Sequence, residues 1–209
     1  MPTRSPVAFE GFAIVAWYAG PVHRIPAFDP RHDFVAELRA YEPVDPHEAM
    51  MRDRFVAFVT NNPDAFERTL TIGHVTASTW IVDPARGRAL LTHHRKLRRW
   101  MQLGGHVEGD VDVRRAAMRE AREESGLRSL RFASDGIYDV DVHPIPARGE
   151  EPAHDHYDVR FALEADPAEP LLVSSESNDL AWVPFESLAR YGVDESVLRL
   201  ARKTPTLGK

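Results

Sequence analysis

The sequence predicts an α/β/α sandwich built on a mixed β-sheet and preceded by an N-terminal helical extension, and three observations predict it. Apolar residues recur at helical intervals from His32 to Tyr41 and again from Asp45 to Thr60. Strand-like segments bounded by turn residues then follow one another from His74 onward. One capped helical segment interrupts them between Asp112 and Gly126. Strand, hairpin, strand, loop, helix, strand, strand, helix is an order in which helices cover both faces of a sheet. The expected division is residues 1–68 as the extension with its two helices and 69–209 as the body.

Residues 1–31 are rich in proline and aromatics. Their run FEGFAIVAWYAG, Phe9 to Gly20, is shorter than the roughly 20 apolar residues a spanning helix needs, and it contains Glu10. It reads as a strand or extension packing on the body, or as a poorly ordered tail, in preference to a signal peptide. Phe34, Leu38 and Tyr41 then mark one amphipathic helix, and Ala49, Phe55, Val56 and Val59 a second, opened by Asp45-Pro46 as cap and first turn. These helices are expected to form a lid or flank. HVTASTWIVDPARGRALLTHH reads as a hairpin with strands over Val75–Val82 and Arg88–Leu91, and WMQLGGHVE as a further strand. GIYDVDVHPIP and HYDVRFALEA read as two more strands, and DLAWVPFESLARYG as a strand passing into a helix.

The segment GGHVEGDVDVRRAAMREAREESGL carries the chemistry. On a helical wheel, Glu120, Glu123 and Glu124 interleave with Ala116, Ala117 and Ala121, whose small side chains suit an inward face. Burying an unpaired carboxylate costs several kcal/mol, on the order of the ion desolvation penalty. Glutamates at i, i+3 and i+4 converge, and a hard divalent cation, Mg2+ or Mn2+, relieves both their repulsion and their desolvation. A solvated acidic stripe paired with arginines is the plainer alternative.

The wider pattern resembles the Nudix box: G, five residues, E, seven residues, R-E-aliphatic-x-E-E-x-G-aliphatic. Gly105 matches its first glycine, and Arg119, Glu120, Ala121, Glu123, Glu124, Gly126 and Leu127 match its second half. Val111 stands where the pattern has its first glutamate. Acidic Glu108 and Asp110 lie close by, and the expectation is that the turn keeps its charge through them. The resemblance implies a Nudix-like fold over roughly residues 70–195 and a metal-dependent hydrolase of a phosphoanhydride bond. It implies a metal held by Glu120, Glu123 and Glu124, with a backbone carbonyl from the Gly104-Gly105 turn and with Glu108 in the neighbouring turn. Arg119 would orient the glutamates, and Glu176, in the loop before the tryptophan strand, is the candidate general base.

His143, His154 and His156 cluster near one hairpin, and His143 and His156 are the better candidates for substrate contact. Arg95, Lys96 and Arg99, in the basic stretch HHRKLRRW, are placed to receive phosphates.

Composition narrows the classes. With no cysteine in 209 residues there is neither a disulfide framework nor a thiolate metal site. A net charge of −6 disfavours nonspecific nucleic-acid binding but leaves a nucleotide as an easy ligand. The expected chemistry is hydrolysis of a nucleoside diphosphate linked to another group, of the ADP-ribose, nucleotide-sugar or nucleoside-triphosphate type. A non-catalytic nucleotide-binding or regulatory module is the alternative, with Val111 its best support. Isomerases of this fold carry a catalytic cysteine, absent here. The expected setting is cytoplasmic, with a small-molecule nucleotide substrate, no nucleic acid and no membrane; a homodimer is left open.

Overall fold

The computed structural model describes residues 29–207. The Phe9–Gly20 run, read above as strand or extension, lies outside them. Helix α1 spans His32–Ala40 and α2 Pro46–Asn61. The Asp45 carboxylate accepts from the Glu48 N–H at 2.8 Å and Pro46 occupies the first turn, so both start signals act as the sequence predicts. Phe34 and Leu38 of α1 and Phe55 and Val59 of α2 are buried together with Val75, Ala77 and Val159 of the sheet, so the two helices share a core with it.

The sheet is organised around two long parallel strands, β1 (Gly73–Val82) and β7 (His154–Glu164), in register from Gly73 opposite Asp155 to Val82 opposite Glu164. Each long strand shares its outer edge between two antiparallel partners. The first half of β1 pairs with β4 (Leu103–His106), and its last residues pair with β2 (Arg88–His94). The first half of β7 pairs with β6 (Asp139–Ile145), and its end pairs with the two-residue β5 (Arg131–Phe132). Strand β2 pairs in turn with β3 (Arg99–Met101) and β8 (Ser177–Pro184).

Alternation along a strand sends successive side chains to opposite faces. On β1, Val75 and Ala77 face the α1, α2 and α3 side, where α3 is Val113–Ser125. Trp80 and Val82 face α4 (Glu195–Lys203) and pack with Val197 and Leu200. His74, Thr76 and Ser78 are the other residues of that second face, so half of it is polar yet buried.

Two elements differ from expectation. WMQLGGHVE is two strands, because the chain leaves β2 and crosses to β1 at Gln102. The helix after the tryptophan strand is 3-10, Phe185–Tyr191, ended by Gly192 in the left-handed region (φ 65°). The α-helix lies beyond it in α4, whose cap Asp194 accepts from the Val197 N–H at 3.2 Å. Among the described residues no helix is long and apolar enough to cross a membrane.

Candidate active site

Helix α3 is fixed at both ends as its sequence predicts. Asp112 accepts from the Arg115 N–H at 3.0 Å, and Gly126, at φ 74°, donates its N–H to the Arg122 carbonyl. Ala116, Ala117 and Ala121 are fully buried, which brings the helix close to β4 and carries the glutamates with it. Glu124 is 5% exposed, and its carboxylate accepts from the Gly104 N–H at 2.8 Å. Glu120 lies across Gly105 so closely that a Cβ there would stand 2.5 Å from its Oε2. The second glycine is therefore a space requirement of the carboxylate. Gly104 is required by the backbone: it sits at φ 150°, and a Cβ would fall 2.6 Å from the Ala77 carbonyl oxygen.

Arg119 ties the group together. It donates to Glu120 at 2.7 Å, to Glu123 at 3.4 Å and to the His106 carbonyl at 3.1 Å. Its long side chain reaches back from the helix to both glutamates and to the backbone at His106. Glu123 stays largely exposed beside it.

Burial pushes the Glu124 carboxyl up to about 7, with Glu120 and Glu176 adding repulsion against the relief given by the Gly104 N–H. Burial likewise raises Glu120, offset by Arg119 and reinforced by Glu123 and Glu176. Glu176 itself is exposed and adds repulsion to both glutamates. Its carbonyl accepts from the Arg95 N–H at 2.9 Å, and the Arg95 guanidinium donates to the Ser177 carbonyl at 3.2 Å. Carboxylate oxygens gathered against their own repulsion, with a strand-end turn at their side, are a donor set that fits Mg2+ or Mn2+.

The acidic turn is arranged otherwise than by simple retention of charge. Asp110 is committed to Arg115, with bonds of 2.9 and 2.6 Å, and accepts from the Asp112 N–H. Glu108 is exposed in the left-handed region, φ 53°. Val111 packs against the apolar cluster shared by α1 and α2. A carboxylate at this position would face that cluster's edge, so the hydrophobic residue here suits its surroundings.

The basic stretch divides. Arg95 stands beside Glu176, while Lys96 is exposed in the turn that follows β2. Arg99 lines a cleft of about 190 Å3 with Gln102, Asp141, His143, Arg160 and Asp194, and pairs with Asp194 at 3.4 Å. His143 is thus brought to Arg99.

His156 has a different company: His74, His106 and His154 surround it, with ring centroids 4.9, 5.3 and 5.2 Å away. Burial lowers His156 to about 2, and His74 and His106 to about 4. Sequence reasoning missed His74 and His106. Their signal lies in strand alternation, since His74 stands two residues before Thr76, on the same face, and His106 follows the glycine pair onto it.

Comparison with known proteins bears on the fold. A model of the NUDIX domain matches residues 73–202. Comparison with curated proteins yields no match. Among solved structures, a C. elegans Ap4A hydrolase in a binary complex is 18% identical over 63% of this chain and 95% of that one, with a TM-score of 0.50. The E. coli dihydroneopterin triphosphate pyrophosphohydrolase is 18% identical over 62% of this chain and 92% of that one, also with a TM-score of 0.50. These likenesses are of fold, and the capped glutamate helix sits inside the matched region. With the family model covering well over half of its length, the chain belongs to the Nudix family.

Proposed function

We propose that the chain is a metal-dependent pyrophosphohydrolase acting on a nucleoside diphosphate linked to another group, as in ADP-ribose, a nucleotide sugar or a nucleoside triphosphate. The carrying observation is the crowding of the half-buried Glu120 and the buried Glu124 against the Gly104-Gly105 segment, with Arg119 as the cation bonded to Glu120. A diphosphate resists attack because its oxygens repel a nucleophile and its leaving group is charged. A bound Mg2+ or Mn2+ supplies charge neutralisation of the phosphoryl oxygens and a more acidic water.

The ligands are Glu120, Glu123 and Glu124, with a carbonyl of the Gly104-Gly105 segment, which lies within β4 and not in a turn, and with Glu108 in the turn that follows. Arg119 is a positioning residue that holds Glu120 and Glu123 in one geometry. Glu176, exposed and repelling both buried acids, takes the proton from the attacking water. Arg95, Lys96, Arg99 and His143 receive the phosphates and the remainder of the substrate. His156 stands among the imidazoles considered below. The two relatives are named for Ap4A and for dihydroneopterin triphosphate, both polyphosphates. What is common to them is the phosphoanhydride, while this chain's substrate depends on elements outside the box.

A second reading, a nucleotide-binding module without turnover, draws on Val111, which supplies no carboxylate and packs toward the core. One experiment separates the two. ADP-ribose, nucleotide sugars, dinucleoside polyphosphates and nucleoside triphosphates are offered with Mg2+, with Mn2+ and with chelator, beside Glu124→Gln. Release of a nucleoside monophosphate that needs metal and disappears in the variant establishes the hydrolase. Tight, metal-independent nucleotide binding with no product from any substrate establishes the module instead.

A further inference from the structure

Five of the chain's ten histidines, His74, His106, His143, His154 and His156, meet on one face of the sheet at the start of β1 and β7. Register brings them there. His74 pairs with His156 across the parallel ladder, His143 with His156 across the antiparallel one, and His106 lies opposite Thr76. One ring nitrogen from each of His74, His106 and His156 lies within 4.8 Å of the other two.

The hydrogen-bond inventory of these rings is abnormal. His74 is 2% exposed, and neither ring nitrogen has a partner in hydrogen-bonding geometry, a backbone group of Leu70 being the nearest approach. A buried polar atom left without a bond has lost its hydration with nothing in exchange. An imidazole so buried and so poorly bonded, with a nitrogen of His106 and one of His156 within 4.8 Å of its own, calls for a partner of another kind. His154 adds a second sign. Its Nδ1 lies 2.9 Å from the Pro152 carbonyl, which can only accept, so the proton sits on Nδ1 and the lone pair on Nε2. That Nε2 is buried and unpartnered, and its ring centroid is 4.9 Å from His74. A histidine that donates one nitrogen to a backbone carbonyl and keeps the other bare, with its ring beside neighbouring imidazoles, has the outer-shell contact of a metal ligand already in place.

We infer that His74, His106 and His156 bind a divalent transition-metal ion, of the Zn2+ class, with His154 beside them as the candidate fourth ligand. The donors are nitrogens only, which suits Zn2+, Co2+, Ni2+ or Cu2+ and excludes Mg2+ and Ca2+ as preferred occupants. Tetrahedral coordination at about 2.05 Å sets nitrogens about 3.3 Å apart. The ion would join β1, β4 and β7. It would also reach the glutamate site through the backbone, because His106 follows Gly105 and its carbonyl accepts from Arg119. The assignment is independent of the hydrolase reading, since its donors and its preferred metals are different ones.

The test uses the tag-free full-length protein, stripped with chelator and returned to buffer with excess Mg2+ to occupy oxygen-donor sites. Zn2+ is titrated by calorimetry and retained metal is counted after gel filtration; Co2+ is added in parallel and its visible ligand-field spectrum recorded. The expected result is one retained equivalent of Zn2+, a Co2+ spectrum of low coordination number, and at least 100-fold weaker Zn2+ binding in His74→Ala and in His156→Ala. Glu124→Gln is expected to bind Zn2+ as the unmodified protein does. Should the buried His74→Ala fail to fold, His106→Asn, at a half-buried strand end, is read in its place. Failure of the unmodified protein to retain Zn2+, or equal retention by the histidine variants, overturns the assignment. Zn2+ lost in Glu124→Gln but kept in the histidine variants overturns it as well, by placing the ion among the carboxylates.

Discussion

Three successive rungs cross strands β6, β7 and β1 on one face of the sheet, and they differ sharply in how their polar groups are satisfied. The rung Asp139, Arg160, Ser78 and the next, Asp141, Asp158, Thr76, are fully paired. Arg160 donates to Asp158, Asp139 and Asp141 at 2.8, 3.1 and 2.8 Å. Ser78 and Thr76 donate to Asp158, and Arg199 and Lys203 of α4 close on Asp139 from above. Lys203 also bonds Tyr41 and Glu48, tying α2 to the same network. The third rung, His143, His156, His74, has no such closure, and at the neighbouring β4 only Arg119 and the Gly104 N–H answer the charges of Glu120 and Glu124. One fold therefore holds a saturated polar interior beside two unsaturated ones. Saturation is the signature of structure, because buried ions persist only when paired; unsaturated groups in the same interior mark places where a ligand completes the set.

Breaking the saturated end should give the largest effect. Arg160 is 1% exposed, and Arg160→Met would leave Asp139, Asp141 and Asp158 facing one another with only Arg199 and Lys203 to offset them. Loss of one partner from a buried network costs about 3–5 kcal/mol, and urea unfolding of the variant should show a loss of that size. A loss under about 1 kcal/mol would mean that the network is hydrated and not a true interior.

The glutamate end should answer in the opposite direction. The Glu124 carboxyl is raised from 4.5 to about 7 in the fold. A raised acid favours the folded state while it is protonated. In metal-free protein the contribution of Glu124 to stability is therefore whole below about pH 4.5 and is lost as pH rises through 7, by on the order of 3 kcal/mol. Glu124→Gln should flatten that part of the stability profile and stabilise the metal-free protein at pH 8, while hydrolysis falls about 100-fold or more. A stability profile unchanged by the substitution would show that Glu124 is ionised without cost, and that nothing draws a cation to it.

Much of this division is local enough to read from sequence, and the part that is not has a physical reason. Asp112 and Gly126 act on neighbours a few residues away, so the box helix and its converging glutamates are legible in the chain itself. The β1–β2 hairpin is legible for the same reason. The histidine site is not, since His74, His106 and His156 meet only through the β1–β7 and β1–β4 registers, and register is a property of pairing across distant segments. Asp110 adds a contact the sequence does not display: the turn keeps this charge, and Arg115, in the first turn of the helix, pairs with it. The missed α4 had a readable cap in Asp194 and apolar Val197 and Leu200 behind it; the preceding Phe185–Tyr191 turn took the helical signal that belonged to both.

Two smaller substitutions sharpen the boundary between paired and unpaired groups. Gly105→Ala sets a methyl 2.5 Å from the Glu120 carboxylate without touching the backbone of β1, so Glu120 must move. Hydrolysis should fall about 10- to 100-fold, as expected for misplacement on the ångström scale, with little change in melting temperature. A loss of stability without a loss of rate would assign the glycine to folding instead.

Thr76 should give the smallest effect and the finest distinction. It stands between the two kinds of rung, opposite His106 on one side and Asp158 on the other, and its hydroxyl donates to Asp158 at 3.1 Å. Thr76→Val keeps the shape and removes one of the donors that Asp158 enjoys, leaving Ser78 and Arg160 in place. The cost should be about 1 kcal/mol in urea unfolding. Zn2+ affinity should stay within about twofold, because no imidazole loses a partner. If affinity instead changes in proportion to stability, the aspartate network and the histidine cluster are one cooperative unit, and the contrast drawn between them is one of composition without independent function.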